Sequence, residues 1–247
     1  MTEQDLQLPM PDGIADAVLF SPEPSNPLPG VLHLPDIGSI RAAHREMAGR
    51  LASQGYTVLM PNPFYRTGRP PMWNFQRKMG EPRTMQRFGE LVGPLTPEAQ
   101  QRDAAAYVDL LAAQPAVRPG ALGAVGYCFG GALALRSAAA RPDKIVAAAS
   151  FHGGGLYKAG DPHSPHLLLP RVEARLHFGH AEGDSSMTAE DIANFEHALA
   201  AWGGDYESEI YAGASHGWTV PDNPLFNPPQ AERAFDKLTE LFAAALR

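Results

Sequence analysis

The chain has 247 residues and a single cysteine, Cys128. One thiol excludes an intrachain disulfide and any zinc site built on several cysteines. Positive charge is also short. Twenty Lys and Arg stand against 27 Asp and Glu, a net charge of −7, so the basic stripe that a nucleic-acid binder needs is missing. No stretch approaches the ~18 uninterrupted apolar residues of a spanning helix. The opening MTEQDLQLPMPDG carries acids and prolines where a secretory signal has a basic start and an apolar run. The expectation is a cytoplasmic protein with no membrane and no nucleic-acid partner, and a free thiol is compatible with that reducing compartment. What the chain does have is 44% hydrophobic and 19% charged residues, which excludes a disordered chain and fits a buried core.

Short apolar runs alternate with helical patterns. Ile14–Phe20 reads as an edge strand, and the proline-rich 21–29 as a turn. Gly30–Leu34 and Tyr56–Met60 read as strands, separated by a helix over Ile40–Ser53 whose apolar residues Met47, Ala48, Leu51 and Ala52 recur at helical spacing. Residues 61–96 are rich in proline and aromatics without clear periodicity, with a short helix expected near Phe75–Phe88; a loop of that length is usually functional. A helix over Pro97–Gln114 follows, then a strand at Ala121–Gly126, a small-residue helix at Phe129–Ala140, and strands at Ile145–Phe151 and Val172–Phe178. The chain closes with a helix at Thr188–Ala201, a strand at Tyr206–Tyr211 and a helix at Gln230–Leu246. Thr188 and Asp191 resemble a capping box with a shorter acid. This alternation predicts an α/β fold in which helices cover both faces of a mostly parallel sheet. No repeat or composition shift divides the chain, so one domain over residues 1–247 is expected.

The sequence Gly126-Tyr127-Cys128-Phe129-Gly130-Gly131 follows an apolar strand and opens a helix. That is the setting of a nucleophile elbow, with cysteine in place of serine. Glycines two before and two after the nucleophile let strand and helix approach closely, and the helix N-terminus favours an anion there. The P-loop ending and the G-x-G-x-x-G spacing of phosphate loops are both lacking.

A cysteine nucleophile needs a base, and the base needs an orienting group. In this kind of fold the order is nucleophile, acid, histidine. HAEGDSSM supplies Asp184, with Glu182 as the alternative acid, and AGASHGW supplies His216 on the loop after the last strand. The other histidines fall in strands, in helices or in pairs (His163 with His166, His177 with His180) that lack a third metal ligand. The oxyanion hole is expected from the backbone N–H groups of Phe129, the residue after the nucleophile, and Ile37, after the first central strand. The run His152-Gly153-Gly154-Gly155 lies after the nucleophile, so it reads as a glycine turn at a strand end.

GYCFGG, HAEGDSSM, ASHGW and LPDIG together resemble the dienelactone hydrolase family from about residue 28 to the C-terminus. The resemblance implies an α/β-hydrolase fold and a Cys–His–Asp triad of Cys128, His216 and Asp184, with no metal and no organic cofactor. It implies hydrolysis of a small-molecule ester or lactone through a thioester acyl-enzyme. The alternative activity is that of an aryl esterase or thioesterase that also accepts activated phosphate esters, and a noncatalytic binding protein of the same fold is a further alternative. The family also places an acid beside the thiol that substrate displaces. Asp36 occupies that place here, one methylene shorter than the usual Glu, and is expected to modulate the thiol. The arginine that in chlorocatechol-pathway members follows the histidine and holds the substrate carboxylate is absent from GWTVPDN, which points to a neutral substrate, with Arg66, Arg69, Arg83 and Arg87 of the long loop as the residues that could partly compensate. Tyr65, Trp73 and Trp218, with Phe64 and Phe129, are candidates for the pocket wall. Either a monomer or a homodimer is compatible with the sequence.

Overall fold

The computed structural model describes residues 1–22 and 26–246. Its strands are β1 (Thr2–Met10), β2 (Gly13–Ser21), β3 (Leu28–Leu34), β4 (Thr57–Pro61), β5 (Val117–Tyr127), β6 (Ile145–Phe151), β7 (Arg175–Ala181) and β8 (Tyr206–Tyr211). They join in one sheet in the order β1-β2-β4-β3-β5-β6-β7-β8. β1 and β2 form a hairpin, β2 runs antiparallel to β4, and all later pairings are parallel.

The helices are α1 (Ala42–Ala52), α2 (Pro82–Val92), α3 (Pro97–Ala112), α4 (Phe129–Ala140), α5 (Ala189–Trp202) and α6 (Pro228–Leu246). Successive strand side chains point to opposite faces, and the core divides accordingly. On one face, Val31, Val58, Val125, Ala147 and Ala149 pack under Leu51 of α1 and Leu238 and Phe242 of α6. On the other, Leu32, Leu59, Ala124, Ala148 and Phe178 pack under Leu111 of α3, Leu133 of α4 and Phe195 of α5. A sheet covered on both sides produces the near-continuous apolar strands that the sequence displays.

Three expectations change. Ile14–Phe20 belongs to β2, which is not the edge, because β1 lies outside it. β1 is polar on one side and buries only Leu8 and Met10, so its period-2 signal is weak. Its acids Glu3 and Asp5 reach Arg45 of α1. The helix expected near Phe75–Phe88 lies at Pro82–Val92, started by a proline in its first turn. The strand expected from Val172 begins at Arg175, preceded by a 3-10 turn over Pro165–Arg171. The turn expected at 21–29 falls partly outside the described residues.

The six parallel strands β4, β3, β5, β6, β7 and β8 all end on one edge of the sheet, the edge on which open α/β sheets bind ligands. Thr188 caps α5 as expected: its hydroxyl accepts the Asp191 N–H at 3.2 Å, and the Asp191 carboxylate accepts the Thr188 N–H at 3.0 Å. Thr188→Ala should therefore cost about 1 kcal/mol of unfolding free energy, read from urea denaturation. An unchanged midpoint would mean that the cap contributes nothing.

Candidate active site

At the end of β5 the chain turns sharply into α4. Cys128 occupies that corner with φ 55° and ψ −118°, a conformation that costs a residue with a Cβ on the order of 1–3 kcal/mol. The corner persists because its neighbours leave no other course. A Cβ on Gly126 would run into the carbonyl oxygen of Gly130, and one on Gly130 into that of Leu34 at the end of β3. The Cys128 N–H donates to the Phe151 carbonyl of β6 at 3.1 Å, and its carbonyl accepts the Gly131 N–H at 3.0 Å. The thiol is thus lifted to the sheet edge, half-buried.

Three loops converge on it. His216, five residues past β8, places Nε2 2.9 Å from Cys128 Sγ. Its Nδ1 lies 2.6 Å from Oδ2 of Asp184, three residues past β7. Asp184 is buried and His216 about a third exposed, with side-chain exposures of 2% and 31%. Burial alone would lower the histidine's pKa, but the bonds to Asp184 and Cys128 outweigh it and push it up to about 10. For Asp184, burial works upward and loses to the hydrogen bond from His216, so its carboxyl lies below the ordinary range. The favoured arrangement is an imidazolium held between a carboxylate and a sulfur.

Glu182, the alternative acid, does not face His216. It accepts the Gly213 N–H at 2.8 Å and so braces the loop that carries the histidine.

Two residues beyond the expected set belong to this cluster. Ser186 donates its hydroxyl to Asp184 Oδ1 at 2.7 Å, its N–H to the same oxygen at 2.8 Å, and lies 3.1 Å from His216 Nδ1. Its signal was the Asp-x-Ser spacing, which suits a local side-chain-to-backbone turn. His152, at φ 41°, stands edge-on to His216 with ring centroids 5.3 Å apart and bonds Thr219 Oγ1 at 2.7 Å. Burial, with the neighbouring His216, pushes its pKa well below 6.5. It is a neutral ring beneath a charged one, and its place in HGGG gave no sign of that contact.

The N–H of Ile37, three residues past β3, has no acceptor among the described residues. That of Phe129 opens α4, where no preceding turn supplies a carbonyl. Both residues lie under an apolar cap. Ile37, Phe64, Met72, Leu91 and Leu95 pack together, with Trp73 and Phe129 against them. Trp73 donates its indole N–H to the Ile37 carbonyl at 2.9 Å, and the rings of Phe64 and Phe129 are 5.2 Å apart. The 61–96 segment thus packs Phe64, Met72, Trp73, Leu91 and Leu95 against the Ile37 and Phe129 region and is tied down at Asn62, which bonds Ser39, Phe64 and Gly68.

Three expected assignments are corrected. Asp36 does not touch the thiol: its carboxylate is taken by Arg41 and the Gly38 N–H. Tyr65 turns away from the cap, bonding Asp103 of α3 at 3.0 Å. Trp218 is fully buried against Tyr211 and His152 and is a core residue rather than an accessible wall. Among the described residues, no group of three or more His, Cys, Asp or Glu is arranged to hold a metal ion. No helix among them is long and apolar enough to cross a membrane.

The model of the dienelactone hydrolase family matches residues 15–246. This chain belongs to the dienelactone hydrolase family. Carboxymethylenebutenolidase of Rhodococcus opacus is 27% identical over 224 residues, covering 86% of this chain and 79% of that protein. A Klebsiella pneumoniae crystal structure assigned as a dienelactone hydrolase superposes with a TM-score of 0.86 at 22% identity, covering 98% of both chains. A dienelactone hydrolase-like promiscuous phosphotriesterase from metagenomic libraries superposes with a TM-score of 0.80 at 21% identity, covering 100% of this chain and 99% of that one. The sheet and its helices form the α/β-hydrolase fold, and the chain is a hydrolase of the dienelactone hydrolase kind.

Two outcomes follow from this geometry. Gly130→Ala should destabilise the fold by at least about 2 kcal/mol, as overpacking does, whereas Gly89→Ala, in an open stretch of α2, should raise stability by roughly 0.5–1 kcal/mol. Urea unfolding of both separates a required glycine from a dispensable one. Asp184→Asn removes the carboxylate that holds the His216 proton, so the histidine's titration should move from about 10 toward lower pH, followed by imidazole NMR. An unmoved titration would break the proposed link between the two residues.

Proposed function

We propose that the chain hydrolyses neutral carboxylic esters or lactones with Cys128 as nucleophile, His216 as proton carrier and Asp184 as its orienting acid, the whole chain acting as one domain in a reducing compartment. The observation that carries this reading is the row of contacts from Sγ through the imidazole to a buried carboxylate, at 2.9 and 2.6 Å. It stands at a strained strand-to-helix corner, as nucleophile elbows do.

In this scheme the Cys128 sulfur attacks the ester carbonyl carbon and the carbonyl π pair moves onto oxygen. The N–H groups of Ile37 and Phe129 receive that oxyanion. Such donors contribute most when they are aimed in advance at the developing charge. The intermediate collapses, the C–O bond breaks, and His216 Nε2 protonates the departing alkoxide. A thioester remains. Water then attacks it, giving its proton to Nε2, and the thiolate leaves as carboxylic acid is released. With a lactone, the departing hydroxyl stays attached to the product.

The surroundings favour an uncharged acyl or aryl group. Four of the five arginines of the 61–96 segment are engaged elsewhere: Arg66 with Asp12 and Asp103, Arg87 with Glu90 and the Met72 carbonyl, Arg77 and Arg83 over the rings of Trp73 and Phe75. The fifth, Arg69, is 72% exposed beside Gln7 and Asp16 of the β1–β2 hairpin. What faces the oxyanion loop is the apolar cap.

Cys128→Ala and His216→Ala should each lower kcat on p-nitrophenyl butyrate on the order of 10³-fold or more, by analogy with other catalytic triads. Turnover at the wild-type rate in both would reject the mechanism. Among substrates, kcat/KM should be higher for p-nitrophenyl butyrate than for its analogue bearing a terminal carboxylate, and a preference for the anionic ester would overturn the assignment of a neutral substrate. An activated phosphotriester belongs in the same panel, because one structural neighbour is a promiscuous phosphotriesterase.

A further inference from the structure

Arg41 sits between the loop that carries Ile37 and the loop that carries His216. Its guanidinium donates from Nη1 and Nη2 to the two oxygens of Asp36, at 2.6 and 2.9 Å. From Nε and Nη2 it donates to the two oxygens of Asp222, at 2.7 and 2.8 Å. One planar fork therefore grips two carboxylates, each bidentately, a geometry that arginine supports and lysine does not. Among the described residues no other salt bridge joins residues 36–41 to residues 216–222. The Asp36 side chain is 7% exposed and that of Arg41 19%, so one half of the clamp is shielded from water.

Each carboxylate is rigidly connected to a reacting group. Asp36 directly precedes Ile37. Its own N–H is fixed to His44 Nε2 at 3.2 Å, its carboxylate receives the Gly38 N–H at 2.7 Å, and the Ile37 carbonyl receives the Trp73 indole. With those groups held, the Ile37 N–H is the one left to project. Asp222 lies six residues past His216. The intervening chain is pinned by Trp218, which is fully buried, by Thr219 on His152, and by the Asn227 N–H on the Trp218 carbonyl at 3.0 Å. Gly38 shows how closely the clamp closes, because a Cβ there would collide with the Arg41 guanidinium.

We propose that Arg41 is a positioning residue for hydrolysis: through Asp36 and Asp222 it fixes the separation between the oxyanion-binding N–H of Ile37 and the imidazole of His216. This inference rests on the ester-hydrolase reading above and adds a residue to it. Arg41 touches neither substrate nor thiol. Its effect falls on the step that needs both loops at once, formation of the tetrahedral intermediate, where a displacement of about 1 Å can cost on the order of 10²-fold. Alkylation of Cys128 by iodoacetamide needs only a nucleophilic sulfur and no oxyanion hole, so the two readouts divide positioning from general damage.

The test compares wild type, Arg41→Met, Arg41→Lys, Asp222→Asn and the double variant Arg41→Met/Asp222→Asn on p-nitrophenyl butyrate, with Cys128→Ala as reference. Asp222→Asn guards against misfolding, since Asp222 is about half exposed and its loss leaves Asp36 paired. The expected result is a fall in kcat of roughly 10- to 100-fold in both Arg41 variants, with KM and the alkylation rate each within about threefold of wild type. Asp222→Asn should show a smaller loss of the same kind, and the double variant should fall little below Arg41→Met, because both changes break one clamp. Wild-type kcat in Arg41→Met and Asp222→Asn overturns the proposal. So does full rescue by lysine, which would make charge alone sufficient, and so does an alkylation rate that falls in step with kcat. If Cys128→Ala itself retains turnover, the hydrolase reading fails; if it is inactive while the Arg41 and Asp222 variants are unimpaired, the clamp alone fails.

Discussion

The backbone at Cys128 bends through a positive φ that only a crowded corner can enforce. Enforcement comes from absent atoms. Gly126 and Gly130 have no side chains, so the carbonyls of Gly130 and Leu34 can approach to distances that any Cβ would forbid. The same close approach lets α4 begin directly at the end of β5, with its first N–H groups beside the sulfur. A side chain at either glycine would collide with backbone, of Gly130 in one case and of Leu34, three residues before Ile37, in the other.

Around that corner the electrostatics run in one direction. Two carboxylates serve the site in different ways. Asp184 is buried and faces the imidazole, so it stabilises a positive ring next to the sulfur. Asp36 is buried close by, yet its carboxylate is tied to Arg41 and the Gly38 N–H rather than to the sulfur. His152 completes the arrangement by staying neutral; a second imidazolium under His216 would oppose the first. The charged ring of His216 thus lies against the sulfur, 2.9 Å from it.

Much of this was legible in the sequence where local rules are strong. GYCFGG carries its own geometry, because small residues at fixed offsets around a cysteine have few other uses between an apolar strand and a helix. Asp184 and His216 followed from chain order, since both lie just past strands that end on the same edge. β1 was not legible, because an edge strand with one solvated side has few apolar residues to reveal its period. Nor was the fate of Asp36: position alone put an acid near the thiol, and only the three-dimensional meeting of Arg41 with Asp222, 181 residues apart, shows that the carboxylate is otherwise engaged. Tyr65 and Trp218 depart from the candidate pocket wall for a related reason. Aromatic residues beside a site read alike in sequence whether they face a substrate or the core, and burial decides between them.

The account stands most directly on a covalent bond between Cys128 and the acyl group. Reacting the protein with p-nitrophenyl pivalate, whose bulky acyl group slows the second step, then quenching in acid and mapping peptides by mass spectrometry, reads that bond. A pivaloyl mass increment on the peptide containing Cys128, formed at the rate of the first p-nitrophenol release, is the predicted result. An increment on any other side chain, or unmodified turnover in protein whose Cys128 has already been alkylated, would contradict it.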